Sequence, residues 1–291
     1  MRAQEPDLDF FIQSGPMTST GDHSLTLGRI EGPVETANML HGILLHEAWA
    51  SAYGRELTPE RKAQSHLRSA QRMFDLLASS SIPVTEARSA DSRLVGTCRH
   101  FSVLACATLK AQGIPSRARC GFGMYFESGK GVDHWVVEYW NGKRWVVADF
   151  QIEDVQASQL GLVFDPLDLP EEKFLTAGEA WRLCRDAKAD PDTFGIFDEG
   201  GLWFIAMNLV RDVAALNNME MLPWDDWGIM PKPNEDISTD RIKLFDRLAA
   251  LTADGVQTDE IRTLYLQEAG LRVPQRVFNA LRQQEEEIRG S

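Results

Sequence analysis

Apolar and polar residues change their period several times along the 291-residue chain. Residues 1 to 33 hold no sustained period and are rich in Gly, Pro, Ser and Thr, which predicts an extended N-terminal arm with a short strand at Ser24–Ile30. From Val34 to Leu57, the residues Met39, Leu40, Ile43, Leu44 and Trp49 recur at three- and four-residue steps, the period of a helix. Thr58-Pro59-Glu60-Arg61 predicts a fresh helix start, with Thr as N-cap and Pro at the first position. That helix carries Leu67, Met73, Phe74 and Leu77 and stops in Ser79-Ser80-Ser81 before Pro83. Ala87–Gly96 is polar and reads as a loop.

Thr97 can cap a helix running from Cys98 to about Gln112, ended by Gly113 and Pro115. Three strands follow, Ser116–Tyr125, His134–Trp140 and Arg144–Phe150, the last two joined by Asn141-Gly142, a strong hairpin signal. Beyond residue 165 the pattern is helical: Glu171–Ala187, Leu202–Asn218, Asp240–Thr252, Asp259–Glu268 and Pro274–Ile288, with a Trp/Pro-rich connection at Pro223–Pro233. Helices, then a small antiparallel sheet, then helices make an α+β class. The expected organisation is an arm over 1–33, a core over 34–165 including two N-terminal helices, and a helical C-terminal region over 166–291 packed on the core.

Composition narrows the function. The apolar fraction is 43% and the charged fraction 25%, ordinary for a globular protein. A net charge of −13 repels phosphate backbones and anionic lipid, so neither nucleic acid nor membrane is the expected partner. The first twenty residues hold no apolar run of signal-peptide length, and no stretch approaches a membrane span. Cys98, Cys106, Cys120 and Cys184 show no CxxC spacing and read as free thiols, which makes a reducing cytoplasm the expected compartment.

A thiol nucleophile needs a favoured thiolate, a base within reach and a group that fixes the base's tautomer. Cys98 falls at the opening turn of its helix, where unpaired N–H groups and the helix dipole favour thiolate and can hold an oxyanion. Phe101, Ala105 and Leu109 share its stripe and anchor it; a buried core cysteine is the plainer alternative. The hairpin supplies the other two groups. With Asn141-Gly142 as a two-residue turn, Trp140 pairs with Lys143, and His134 then falls directly opposite Asp149 on the same face. A three-residue loop would break that register. The plainer alternative is a cross-strand ion pair at the surface.

Taken together, Gly96-Thr97-Cys98-Arg99-His100-Phe101, then Gly113-Ile114-Pro115-Ser116-Arg117, then His134-Trp135-Val136-Val137 and Trp145-Val146-Val147-Ala148-Asp149 resemble the transglutaminase-like core. The resemblance spans about Gly96 to Phe150. It implies a papain-like fold with the catalytic helix packed on a small antiparallel sheet, Cys98 as nucleophile, His134 as base and Asp149 as the residue that orients it. It further implies acyl transfer or hydrolysis at an amide bond of a peptide, protein or small amide, through a thioester on Cys98, with no metal and no cofactor. Phe150-Gln151 follows Asp149 where that family often has Pro, and no upstream residue matches its oxyanion-side group. The alternative function is a non-catalytic module that keeps the fold to bind a peptide or partner.

Other candidates carry less. His100 lies about 200° around the helix from Cys98 and reads as structural. His41, His46 and Glu47 do not complete an HExxH zinc pair. Gly121-Phe122-Gly123 and Gly129-Lys130-Gly131 lack the rest of a phosphate loop and read as turns. Asp133 and Asp154 compete with Asp149 as the orienting acid, but Asp133 should face away from His134 and Asp154 lies past the strand. Trp203, Phe204, Trp224 and Trp227 read as core, with Pro223–Trp227 as an alternative wall of the cleft.

Overall fold

The computed structural model describes residues 7–253 and 255–288. The N-terminal third holds helices α1 (Leu8–Ile12), α2 (Ser24–Leu27), α3 (Gly32–Ile43), α4 (Pro59–Lys62) and α5 (Ala70–Ala78), with short strands β1 (Leu44–His46) and β2 (Leu94–Gly96). The middle holds α6 (Cys98–Ala111), β3 (Ser116–Gly123), β4 (Gly131–Trp140), β5 (Trp145–Ala148) and α7 (Asp154–Leu160). Then come β6 (Phe174–Thr176), α8 (Ala177–Arg185), β7 (Phe194–Ile196), β8 (Glu199–Gly200), α9 (Leu202–Ala215) and β9 (Asp225–Asp226). The chain closes with α10 (Thr239–Thr252), α11 (Thr258–Gln267), β10 (Arg276–Asn279) and β11 (Gln284–Glu287). The class is α+β.

The main sheet runs β6-β3-β4-β7-β8, with β5 also on β4. Strand β4 is the axis. It pairs with β3 over its whole inner edge, while its outer edge is shared by β7 at Gly131–Val132 and β5 at Val137–Trp140. Residues 133 to 136 therefore lie between the two partners on that edge, and the site is built there. One apolar cluster packs α3, α5 and α6 against Trp135, Val137 and Ala148; a second gathers α8 to α11 around Phe122 and Phe194.

Several expectations change. No strand forms at 24–30; instead the Gly28 and Arg29 amides bond back to the Ser24 and Thr26 carbonyls, and the segment is helical. The arm's residues 1–6 lie outside the described residues. The helix expected to reach Leu57 stops at Ile43 because Leu44–His46 pairs in parallel with Leu94–Gly96, inside the segment read as a loop. Strand β3 ends at Gly123 rather than Tyr125, and Gly121-Phe122-Gly123 is strand, not turn: a Cβ on Gly121 would sit 2.1 Å from the Leu175 carbonyl oxygen of β6. Phe174–Thr176 breaks the helix expected from Glu171, and Thr176 caps the remainder through Glu179.

The segment Pro274–Ile288 is a hairpin. Val277 and Ile288 reach the core, and the acidic run Glu285–Glu287 lies along a strand whose partner is β10. Its turn includes Gln283 at φ +52°, a left-handed conformation that interrupts any helix. The region after 165 thus adds strands as well as helices, and β6 and β7 join the same sheet as β3 and β4. Buried charges tie α9 to that sheet. Arg119 on β3 donates two bonds to Asp212 (3.0 and 2.9 Å) and one to Glu138 (2.6 Å), and Asp212 also accepts from the Cys120 amide at 2.9 Å.

Candidate active site

Cys98 is the first residue of α6. The start of that helix is fixed by an unusual box: Thr97 is the N-cap, and its amide donates to His100 Nδ1 at 3.0 Å, where Glu or Gln more often serves. Gly96 makes room for this ring, since a Cβ there would lie 2.7 Å from both Cβ and Cγ of His100. His100 is fully buried, and burial together with Arg99 holds its imidazole well below its ordinary titration range. Its structural assignment stands on these contacts. Arg99 anchors the other side of the same turn by donating to the Glu220 carbonyl.

His134 and Asp149 meet, though by a different route from the expected one. The hairpin pairs Trp140 with Trp145 and Val137 with Ala148, so the turn is centred on Gly142-Lys143 rather than Asn141-Gly142. Asn141 drives this shift by accepting from the Lys143 and Arg144 amides (both 3.0 Å) with its side chain, while its own N–H bonds the Arg144 carbonyl. The register moves by two, which preserves the face of every residue. Asp149 therefore reaches His134 along a diagonal, and its carboxylate Oδ2 lies 2.7 Å from His134 Nε2. The backbone steers it there: the Asp149 amide leaves the β4 ladder and donates to the Pro166 carbonyl at 2.7 Å.

Cys98 lies close enough to the same imidazole for its charge to act on it. With Nε2 committed to Asp149, the nitrogen left for the sulfur is Nδ1. All three residues named from the sequence are thus brought together, at 7%, 3% and 1% exposure for Cys98, His134 and Asp149. Burial by itself would lower the His134 imidazole, but the charges of Asp149 and Cys98 outweigh it and push it up to about 10. Burial would likewise raise the Asp149 carboxyl; His134, Tyr125 and the Gln151 amide reverse that and hold it below its ordinary value. The arrangement can hold a proton on the ring beside the Cys98 sulfur, where thiol attack on an acyl carbon needs its base.

The competing acids are elsewhere. Asp133 faces away from His134 as expected and accepts from Asn208 on α9 at 2.8 Å, and Asp154 is exposed at the start of α7. Cys106, Cys120 and Cys184 lie outside the arrangement; burial pushes the Cys106 and Cys184 thiols up to about 12 and about 11, and holds Cys120 well above its ordinary value. His41 sits beside the Phe150 carbonyl at 3.0 Å. Trp203 and Trp227 belong to the core, while Trp224 packs on His66 with ring centroids 5.0 Å apart.

Four residues of the site had no role there assigned from the sequence, His46 having been weighed only as part of a zinc pair. Tyr125 donates its hydroxyl to Asp149 Oδ2. Phe126 packs edge-on against the His134 ring at 4.7 Å, in space that Gly123 leaves free, and Phe164 packs on Tyr125 at 5.6 Å. His46 stands abreast of Gly96 across β1 and β2, takes the Ala48 amide on Nδ1 at 3.2 Å, and is held down to about 3 by burial and by the charge of His134. The glycines at 121 and 123, on the strand facing His134, were the available sign that something bulky folds over that position.

Among the described residues, no helix is long and apolar enough to cross a membrane. A model of the transglutaminase-like superfamily matches residues 48–150, a span that contains all three residues of the arrangement. A solved structure named "Putative Cysteine Protease", from Cytophaga hutchinsonii, aligns with 16% identity and a TM-score of 0.33 over 50% of this chain. The chain spans 43% of that protein's length. No curated protein matches the chain.

Proposed function

Residues 48–150 belong to the transglutaminase-like superfamily, and on that premise we propose that the chain is a cysteine enzyme acting on an amide bond, with Cys98 as nucleophile, His134 as general base and acid, and Asp149 as the residue that orients it. The observation that carries this reading is the 2.7 Å bond between His134 Nε2 and Asp149, which leaves the other ring nitrogen to the Cys98 sulfur.

The steps follow from the positions. The His134 ring takes the thiol proton and the Cys98 sulfur attacks the acyl carbon; the first N–H groups of α6 face the oxygen where charge develops. His134 then gives its proton to the departing amine, and a thioester to Cys98 remains. Water or a second amine attacks that thioester and restores the thiol. Asp149 stabilises the cationic ring throughout without taking its proton. Hydrolysis and amine transfer share this machinery, and the substrate is a peptide, protein or small amide. The core over 34–165 carries the chemistry, and the region over 166–291 braces it through Asp212 and β6.

The rival reading, a binding module, is not favoured: such a module gains nothing from a buried, charged imidazole beside a thiol. The test uses p-nitrophenyl acetate as an acyl donor. Wild type should release a burst of p-nitrophenolate and carry one acetyl group on Cys98 by mass spectrometry, and Cys98→Ala and His134→Ala should do neither. A wild-type protein that stays unmodified would support the binding module instead.

A further inference from the structure

The carboxylate of Asp149 serves more than one donor. His134 Nε2 and the Tyr125 hydroxyl both bond Oδ2, and the Gln151 amide bonds Oδ1 at 2.9 Å. Tyr125 comes from the loop between β3 and β4, a segment that neither the helix start nor the β4–β5 hairpin controls. Its ring is wedged by Phe126 (4.5 Å), Phe164 (5.6 Å) and, edge-on, His134 itself (6.1 Å). The hydroxyl therefore has one orientation, and it donates to an oxygen already engaged by the base.

We propose that Tyr125 is a positioning residue for the His134–Asp149 pair: its hydroxyl fixes the carboxylate and draws charge from the oxygen that His134 uses, which sets how tightly the imidazole holds its proton. The proposal rests on the acyl-transfer reading for its functional meaning, but its physical content is independent of it. A carboxylate oxygen shared by two donors attracts each less than it would attract one. Burial and the Asp149 charge keep the Tyr125 phenol far above its ordinary range, so it stays a donor at every working pH. The other groups whose charge acts on the imidazole are Cys98 from α6, Asp133, on the opposite face of β4, and His46 from β1, while His41 from α3 acts on Asp149. None of these bonds Oδ2, so their influence stays constant when the Tyr125 hydroxyl is altered.

The experiment follows the His134 ring by 15N NMR in the full chain, which has six histidines. Tyr125→Phe keeps the ring and removes the donor; 3-fluorotyrosine at position 125 keeps the shape and strengthens the donor. The first should move the His134 titration up by about 0.5 pH unit or more, and the second should move it down. A structural role alone would not give opposite signs. If Tyr125→Phe does not fold, the fluorinated protein still decides the matter. A titration that stays put in the fluorinated protein, or shifts in one common direction, overturns the proposal. Acetylation of Cys98 by p-nitrophenyl acetate is scored separately: its absence in wild type counts against acyl transfer, while the titration shifts alone judge Tyr125.

Discussion

Asp149 holds His134 from one residue beyond the end of the β5 ladder, at 2.7 Å, and not from the position directly opposite. The distinction matters because a carboxylate inside the ladder would be fixed by strand pairing alone. Here its direction is set by the bond from its amide to Pro166, by the Gln151 amide and by Tyr125. The orienting group thus belongs to a loop that a rigid sheet edge supports.

Removing that group should cost reaction rate before stability. Asp149→Asn keeps the shape and loses the charge, which allows the wrong imidazole tautomer. The expected fall in the rate of Cys98 acetylation is about 100-fold or more. Stopped-flow measurement of the burst checks it, and an unchanged rate would remove Asp149 from the mechanism.

Protonation of His134 should also leave a mark on folding. Its folded-state value lies above the ordinary 6.5, at about 10, so its stabilising contribution is fully present below pH 6.5 and is lost as pH rises through about 10. Asp149 works in the opposite sense: its value is depressed, so its contribution is present above its ordinary value of 3.8 and fades as pH falls through the lower folded value. The difference in Tm between wild type and His134→Gln should therefore shrink from pH 6.5 toward pH 10. A difference that stays flat across that window would mean that the ring is not held as a cation.

The helix start offers a packing test. Gly96→Ala places a methyl group 2.7 Å from Cβ and Cγ of the fully buried His100, whose ring position is fixed by the Thr97 amide. Overpacking of this kind costs about 1–3 kcal/mol. Because the displaced residue caps the turn that presents Cys98, the burst should slow as well. Urea denaturation and the burst are to be read on the same sample.

The C-terminal region should prove inseparable from the sheet. Asp212→Asn leaves Arg119 with Glu138 alone, a carboxylate it shares with Arg117, and weakens the bond to the Cys120 amide. Breaking one side of a buried pair costs about 3–5 kcal/mol. A loss under about 1 kcal/mol in urea would show that α9 is merely docked on β3.

The helix at Cys98, the strands carrying His134 and Asp149, and the α+β class were legible because each rests on local signals: Thr97 as cap, Gly113 and Pro115 as stop, apolar strands on either side of a turn. The register was legible in parity but not in value. Asn-Gly marks a turn, yet the Asn141 side chain can bond the amides that follow and move the centre one residue onward. Tertiary pairing decided the rest. Leu44–His46 has helical spacing, and only the distant Leu94–Gly96 makes it a strand; Arg276–Asn279 likewise needs Gln284–Glu287. The places of Tyr125 and His46 beside the site were hidden for the same reason, since their partners lie 24 residues or more away in sequence.

The most direct measurement is competitive alkylation of the native protein with iodoacetamide at pH 6.5, mapped by peptide mass spectrometry, in wild type and His134→Ala. The account predicts that Cys98 is labelled first in wild type, well ahead of Cys106, Cys120 and Cys184, and that His134→Ala removes this preference. Equal labelling of the four thiols, or a Cys98 that reacts as readily without the imidazole, would contradict it.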